Sequence, residues 1–249
     1  CPFHGWRFDG AGRCTRVPLN DLNERALAKI RATALPTRAL AGALWVYTGT
    51  GSPVEPQLPD SLQGEPTAFG TYYQDWNAHW TRALENFIDF AHPAYVHRAT
   101  IGAWSYDAVE AGVLGYAEVT PTDWGFITRI SMGRPGGGAR LDWVRPNLAR
   151  LHFIPGNPGG LHVFCIPLEA NRTRVMTVRR LPEGTDGLEW SRRAVAVDSP
   201  VLTEDRFIVE AQPGEVPGDD GEISVGTDAA SLAFRRWYHR ELKRAAGVS

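Results

Sequence analysis

With 249 residues, 43% apolar and 22% charged positions and nine Trp, the chain has enough material for one large or two smaller buried cores, which excludes a disordered or fibrous protein. The net charge of −2, with its signs interspersed, leaves no basic stripe for a phosphate backbone, so no nucleic-acid partner is expected. Apolar runs break well before the roughly 18 residues of a membrane span, and three cysteines do not make a paired disulfide framework; the expectation is a cytoplasmic protein with no membrane association.

Residues 1–50 carry short β-like runs at 3–8 and 42–47, with turns at Asp9-Gly10 and Ala11-Gly12, and read as a small β unit. The first residue is Cys rather than Met and opens in the middle of what looks like a structural element, so the sequence is expected to be a piece of a longer one. Pro53, Pro56, Pro59 and Pro66 resist regular structure and make 53–66 a connector, which places domains at 1–52 and 67–249. A strand at 71–73 follows, then a helix over 79–91 with Trp80, Leu84, Phe87 and Ile88 at helical spacing and His79 as a cap or packing residue. Residues 106–181 read as successive antiparallel strands, with turns at 121–123, 135–138 and 157–160. Helices are expected at 188–197, 202–211 and 228–246, the last with Arg235-Arg236 and Lys243-Arg244 on a solvated face. A sheet and helices segregated along the chain make the class α+β.

Two constellations carry chemistry. Cys1-Pro2-Phe3-His4-Gly5-Trp6 sets a thiolate and an imidazole three positions apart on a tight turn, from which both reach one metal; a surface Cys beside a core-edge His is the plain alternative. The second runs from Asn86 through Asp89 and His92-Pro93 to His97. Two His plus one carboxylate, with positions left open, is the facial arrangement of oxygen-activating Fe(II). On an unbroken helix His92 and His97 would lie about 140° apart. Pro93 breaks the helix directly after His92 and frees His97 to fold back. The spacing differs from the His-Glu-x-x-His of zinc peptidases, which needs an unbroken helix. Asp89, three residues before His92, is placed to accept a hydrogen bond from a ligand imidazole; two helix-end His with Asp89 as a cap is the bland alternative. His152, His162 and His239 are isolated and expected to be structural. Trp104, Phe126, Phe153 and Phe164 suit a core, or the wall of an apolar pocket.

Cys-Pro-x-His-Gly-Trp resembles the second ligand half of Rieske [2Fe–2S] domains, in which two Cys hold one iron and two His the other. The Asp9-Gly10 turn, Cys14, Pro18 and the 42–47 strand resemble that domain as well, with Cys14 an ordinary buried or edge residue. The upstream Cys-x-His is not in the sequence, so Cys1 and His4 form an incomplete half-site. Asn-x-x-Asp-x-x-His-x-x-x-x-His resembles the iron-site motif of Rieske oxygenase catalytic domains, and Asn86, Asp89, His92 and His97 fill it.

The resemblance implies an N-terminally truncated catalytic alpha subunit of the ring-hydroxylating oxygenase and O-demethylase family. Its implied fold is the C-terminal half of a Rieske domain followed by a helix-grip domain, an antiparallel sheet around a long C-terminal helix. The third iron ligand is implied to be Asp205 on a C-terminal helix. Glu204 is its rival, since adjacent side chains point about 100° apart, and Arg206 lies outward or pairs locally. Asn86 and Asp89 are implied catalytic residues, mononuclear Fe(II) and a [2Fe–2S] cluster the cofactors. The implied partners are O2, an apolar or aromatic substrate and a ferredoxin or flavin reductase. A head-to-tail homotrimer is implied too, in which Asp89 meets His4 of the next chain. The expected reaction is hydroxylation or O-demethylation; a helix-grip small-molecule binding protein without redox activity is the alternative.

Overall fold

The computed structural model describes residues 1–49, 51–63, 68–135, 138–152, 159–218 and 221–244. It divides into two compact units, Cys1–Gln57 and Leu58–Ser249, the division falling inside the proline-rich stretch.

In the first unit, β1 (Arg7–Phe8) pairs antiparallel with β2 (Cys14–Arg16). The expected 3–8 run shrinks to two residues because Cys1 to Gly5 is a turn: Gly5 N donates to the Cys1 carbonyl at 2.9 Å, and Gly5 sits at φ +71°. A short helix that the sequence did not announce, α1 (Glu24–Leu27), is capped by Asn23, whose side chain accepts from Ala26 N. β3 (Thr37–Leu40) and β4 (Ala43–Val46) form a hairpin. Ala41 and Gly42, both at positive φ, make its two-residue turn, the kind whose twist matches the flanking strands.

The second unit is built on β5 (Phe69–Trp76), α2 (Trp80–Ile88), α3 (Pro93–Val96) and α4 (Ala103–Glu110). These are followed by β6 (Gly115–Thr122), β7 (Gly125–Met132), β8 (Ala139–Val144), β9 (Leu148–Leu151), β10 (Leu161–Glu169) and β11 (Arg172–Arg180). The chain then returns to helix in α5 (Gly187–Glu210) and α6 (Ala229–Trp237), which continues as a π-helical segment, Tyr238–Lys243. Seven strands form one antiparallel sheet in the order β5-β11-β10-β9-β8-β7-β6, so the class is α+β. On the helix-covered face Trp143 meets Phe234 and Trp237 of α6 at ring distances of 5.4 and 4.7 Å, and Val163, Val175, Leu84 and Leu202 complete the core. β10 is buried at five consecutive residues, Leu161 to Cys165, so that strand is covered on both faces. No helix among the described residues is long and apolar enough to cross a membrane.

Several expected boundaries move. Residues 106–110 belong to helix α4 rather than to a strand, and the sheet resumes only at Gly115. The expected turn at 121–123 narrows because β6 runs to Thr122; Pro121 is tolerated there since β6 is an edge strand. Gly136 and Gly137 of the second expected turn, and Asn157 and Pro158 of the third, lie outside the described residues, as does Phe153. The helices expected at 188–197 and 202–211 are one helix, α5, running through Pro200. Packing on the sheet holds it across the missing N–H. Asp198 is bound by Arg179 at 2.7 Å and by the Thr177 hydroxyl at 2.9 Å, and Gln74 Nε2 donates to the Ser199 carbonyl at 3.4 Å.

The last helix does not present both of its first arginines to water, as expected. Arg236 is exposed, but Arg235 is buried against Glu85 of α2. Trp104, weighed as core or pocket wall, is 73% exposed and is neither; Phe126 and Phe164 are core.

Candidate metal centre

Helix α2 is capped by His79, whose ring nitrogen accepts from Thr81 N, and is buried almost all round, at Thr81, Arg82, Ala83, Leu84, Glu85, Phe87 and Ile88. It ends at Ile88, three residues earlier than the sequence suggested, because Asp89 turns extended. So the break precedes His92 rather than following it, and Asp89 and His92 do not share a helix face. They are joined instead through a turn: Asp89 Oδ2 accepts from His92 N and faces His92 Nδ1, both at 2.9 Å, and Oδ1 accepts from Ala91 N at 3.1 Å. Pro93 then opens α3 at the position where its missing N–H costs nothing. His97 follows α3, its carbonyl accepting from Thr100 N and Gly102 N.

The third member comes from α5. Asp205, 2% exposed, aims Oδ1 at both rings, 3.0 Å from His97 Nε2 and 3.4 Å from His92 Nε2. Three ligand-capable atoms of His92, His97 and Asp205 lie within 4.8 Å of one another, and these residues are the only such group among the described residues. Glu204 does not compete with Asp205. Its Oε2 sits 2.8 Å from His97 Nδ1 and accepts from the Thr100 hydroxyl at 2.7 Å. Arg206 pairs locally with Glu210.

Asp205 Oδ1 is buried and makes no hydrogen bond, with the two imidazole nitrogens beside it at ion-pair distance. A buried carboxylate oxygen without a partner is costly. A cation between the three residues removes that cost, and ligand atoms bound facially at about 2.1 Å from a metal lie about 3 Å apart, close to the 3.0 and 3.4 Å that separate Asp205 Oδ1 from the two imidazoles. The electrostatics agree. Burial alone would lower the His92 pKa, but Asp205 and Asp89 raise it to about 9. His97 is shifted upward by Asp205 and Glu204 against the same burial. Burial would raise Asp205, and the two imidazoles bring it down to about 2. The pocket attracts positive charge, and a divalent ion displaces the protons that otherwise supply it.

His92 opens onto a cleft of about 470 Å³ whose lining includes Asn86, Asp89, Ile208, Gln212 and Ser231. Asn86 Nδ2 is buried without a hydrogen-bond partner. The remaining histidines are held by the protein: His152 by Asp142 at 2.8 Å, His162 by the Ser61 hydroxyl at 2.7 Å, His239 by the Val216 carbonyl at 3.0 Å. In the first unit Cys1 and His4 are exposed on the same turn, and Cys14 is buried.

Residues 76–244 match the family model described as vanillate O-demethylase oxygenase C-terminal domain. The chain belongs to the Rieske oxygenase family. Among relatives of this Rieske-family chain, chlorophyllide a oxygenase of Chlamydomonas reinhardtii is 26% identical over 95% of the chain, and methylxanthine N1-demethylase NdmA of Pseudomonas putida 27% identical over 98%. The chain spans 38% of the first relative's length and 70% of the second's. The solved structure of NdmB from Pseudomonas putida CBB5 superposes with a TM-score of 0.66 at 25% identity, covering 99% of this chain and 71% of that one. The second unit is accordingly a helix-grip domain. Family membership implies iron and an iron–sulfur cluster as cofactors. His92, His97 and Asp205 offer a donor set suited to the former.

Two contributors to the site escaped the sequence. Glu204 was visible only as a rival to Asp205, and nothing local marked its reach to His97 and Thr100. Gly102 carried no signal at all, yet a Cβ there would lie 1.8 Å from the Pro93 carbonyl oxygen, so only glycine lets α4 start against α3. Gly102→Ala is expected to cost about 1–3 kcal/mol in urea unfolding by forcing the two helices apart. Stability equal to the parent's would show that the turn yields freely.

Proposed function

We propose that this chain is part of the oxygenase component of a Rieske system, which uses O2 and electrons from a ferredoxin or flavin reductase to hydroxylate or demethylate an apolar, aromatic substrate. The observation that carries the proposal is the buried, hydrogen-bond-free Asp205 Oδ1 facing His92 Nε2 and His97 Nε2. In this proposal residues 67–249 form the catalytic domain, with His92, His97 and Asp205 the ligands of mononuclear Fe(II). Residues 1–52 belong to the Rieske domain, to whose [2Fe–2S] cluster Cys1 and His4 contribute, and 53–66 connect the two. A helix-grip binding protein has no use for a two-His, one-carboxylate centre, and that argues against the alternative.

When bound, the iron supplies the reduction of O2; the chain supplies geometry, protons and shelter. Asp89 holds the proton on His92 Nδ1, so the Nε2 lone pair faces Asp205 and the ion. Burial of Asp205 and His97 keeps water from that side of the centre, while beside His92 a cleft opens whose lining also carries Arg82, Glu85, Glu222 and Arg235. Asn86 Nδ2, unpartnered at its wall, is a donor available to a bound molecule. The test is the full-length, iron-loaded protein supplied with a reduced donor, O2 and a panel of aromatic methyl ethers, N-methyl compounds and unsubstituted rings. Formaldehyde release marks demethylation, and hydroxylated product without it marks ring oxidation. No O2-dependent product across the panel would remove the proposal.

Asp89 links this function to assembly. Its side chain is 22% exposed, so it faces His92 while remaining accessible from outside. In the proposed head-to-tail trimer it accepts a hydrogen bond from His4 of the next protomer. Asp89→Asn is then expected to leave both metals bound while slowing electron arrival at the mononuclear iron roughly 10- to 100-fold. Single-turnover rates equal to the parent's, or a monomer by light scattering at micromolar concentration, would refute this link.

A further inference from the structure

We propose that Glu204 is a positioning residue for the metal centre, acting on His97 from the side opposite the metal and held in place by Thr100. The inference rests on the proposed metal centre and goes beyond its ligand set. Helix α5 brings two consecutive carboxylates to one imidazole: Asp205 Oδ1 lies 3.0 Å from Nε2, and Glu204 Oε2 lies 2.8 Å from Nδ1. Adjacent helical side chains diverge by about 100°, which suits two acceptors that must bracket a ring rather than meet at one atom.

An ionised carboxylate only accepts, so Glu204 requires the proton on His97 Nδ1 and leaves the Nε2 lone pair for a metal. Neutral imidazole without that partner divides between two tautomers, one of which cannot bind a metal through Nε2. The same Oε2 accepts from Thr100 Oγ1 at 2.7 Å, and Thr100 N donates to the His97 carbonyl at 2.9 Å. The three residues therefore close a ring of contacts between the turn after α3 and α5, the two elements that carry His97 and Asp205.

The two histidines are served differently. His92 is oriented by Asp89 from three residues away, so its geometry is a property of one turn. His97 is oriented across 107 residues of sequence. Its alignment exists only when α5 is docked, which couples metal affinity to the packing of that helix. Glu204 also adds negative charge at the back of the ring, strengthening His97 as a donor to a divalent cation.

The experiment uses the full-length protein under anaerobic conditions, with Co(II) as the probe in place of Fe(II). Affinity is read by competition with a chromophoric chelator, and the hyperfine-shifted, exchangeable imidazole N–H resonances are read by proton NMR. Glu204→Ala is expected to weaken Co(II) binding roughly 10- to 100-fold and to broaden or remove the His97 Nδ1–H resonance while the His92 resonance stays. Glu204→Gln keeps an acceptor oxygen without the charge, so a loss of only a few fold with the resonance retained is expected. Thr100→Val is expected to fall between parent and Glu204→Ala, and with Glu204→Gln it keeps the test intact should Glu204→Ala not fold. Affinity within threefold of the parent in all variants, or lower thermal stability of the metal-free protein with unchanged affinity and unchanged resonances, would overturn the proposal. Failure of the parent itself to bind Co(II) would instead remove the metal centre, and this inference with it.

Discussion

His92→Ala is expected to leave a folded protein that has lost its mononuclear iron and its turnover together. His97 and Asp205 are nearly inaccessible, so removing either would confound metal loss with damage to packing. His92 is different: its side chain is 18% exposed at the edge of the cleft, and the residues that pack α2 and α5 do not depend on it. Truncation removes one of three ligand atoms and frees Asp89 from its ring contact, leaving two donors that hold Fe(II) weakly. The cluster iron is expected to remain. Metal analysis of the purified full-length variant, beside its thermal unfolding curve and its O2-dependent product formation, separates the outcomes. Parent-like turnover by the iron-loaded variant would sink the assignment of His92. Iron loss with an unfolded protein would mean that the ring is structural.

Glu85→Ala carries the largest expected effect on stability. Glu85 and Arg82 both lie on the buried face of α2, where charge is tolerated only in pairs. Arg235 Nε donates to Glu85 Oε1 at 2.5 Å, and Arg82 lies 3.5 Å from Glu85 Oε2, with all three side chains at most 11% exposed. Glu222 closes the group, accepting from Arg235 at 2.7 Å and Arg82 at 3.2 Å, but is 45% exposed. Two guanidinium groups and two carboxylates thus balance, with Glu85 the buried anion between α2 and α6. Its removal leaves two buried cations sharing one partly hydrated carboxylate, and Arg82 Nε already has no partner. The expected loss is about 3–5 kcal/mol in urea unfolding. Glu222→Ala, at the wet end of the same group, is expected to cost about 1 kcal/mol or less. Equal small losses for both variants would show that the interior admits enough water to screen the network.

Two of the three residues that converge on the proposed centre, His92 and His97, stood out in the sequence as a local motif. Asn86, Asp89, His92 and His97 are close in sequence, and Pro93 announced the bend that the two imidazoles need, although the chain actually leaves the helix at Asp89. The α+β class and the antiparallel sheet followed from local alternation and turn residues, because strand pairing between sequence neighbours leaves a short-range signature. The start of the sheet was less legible: residues 106–110, expected to be strand, belong to α4.

What the tertiary structure decided is whatever depends on the direction of a side chain toward a distant element. The sequence left Asp205 and Glu204 as rivals, since a rotation of about 100° is invisible until the helix is docked. Docking turns Asp205 into the gap between His92 and His97 and Glu204 onto the far side of His97. The continuity of α5 through Pro200 has the same origin, because contacts from Arg179, Thr177 and Gln74 on neighbouring strands outweigh a local breaking signal. Arg235 has it too. A double arginine on a terminal helix reads as a solvated face by composition, and only the burial of Glu85 on α2, 150 residues earlier, requires one of the pair to turn inward. Sequence determines which groups are available and how a turn bends; which group faces which depends on packing between segments far apart in the chain, and that is where this centre acquires its third ligand-capable oxygen and its second orienting carboxylate.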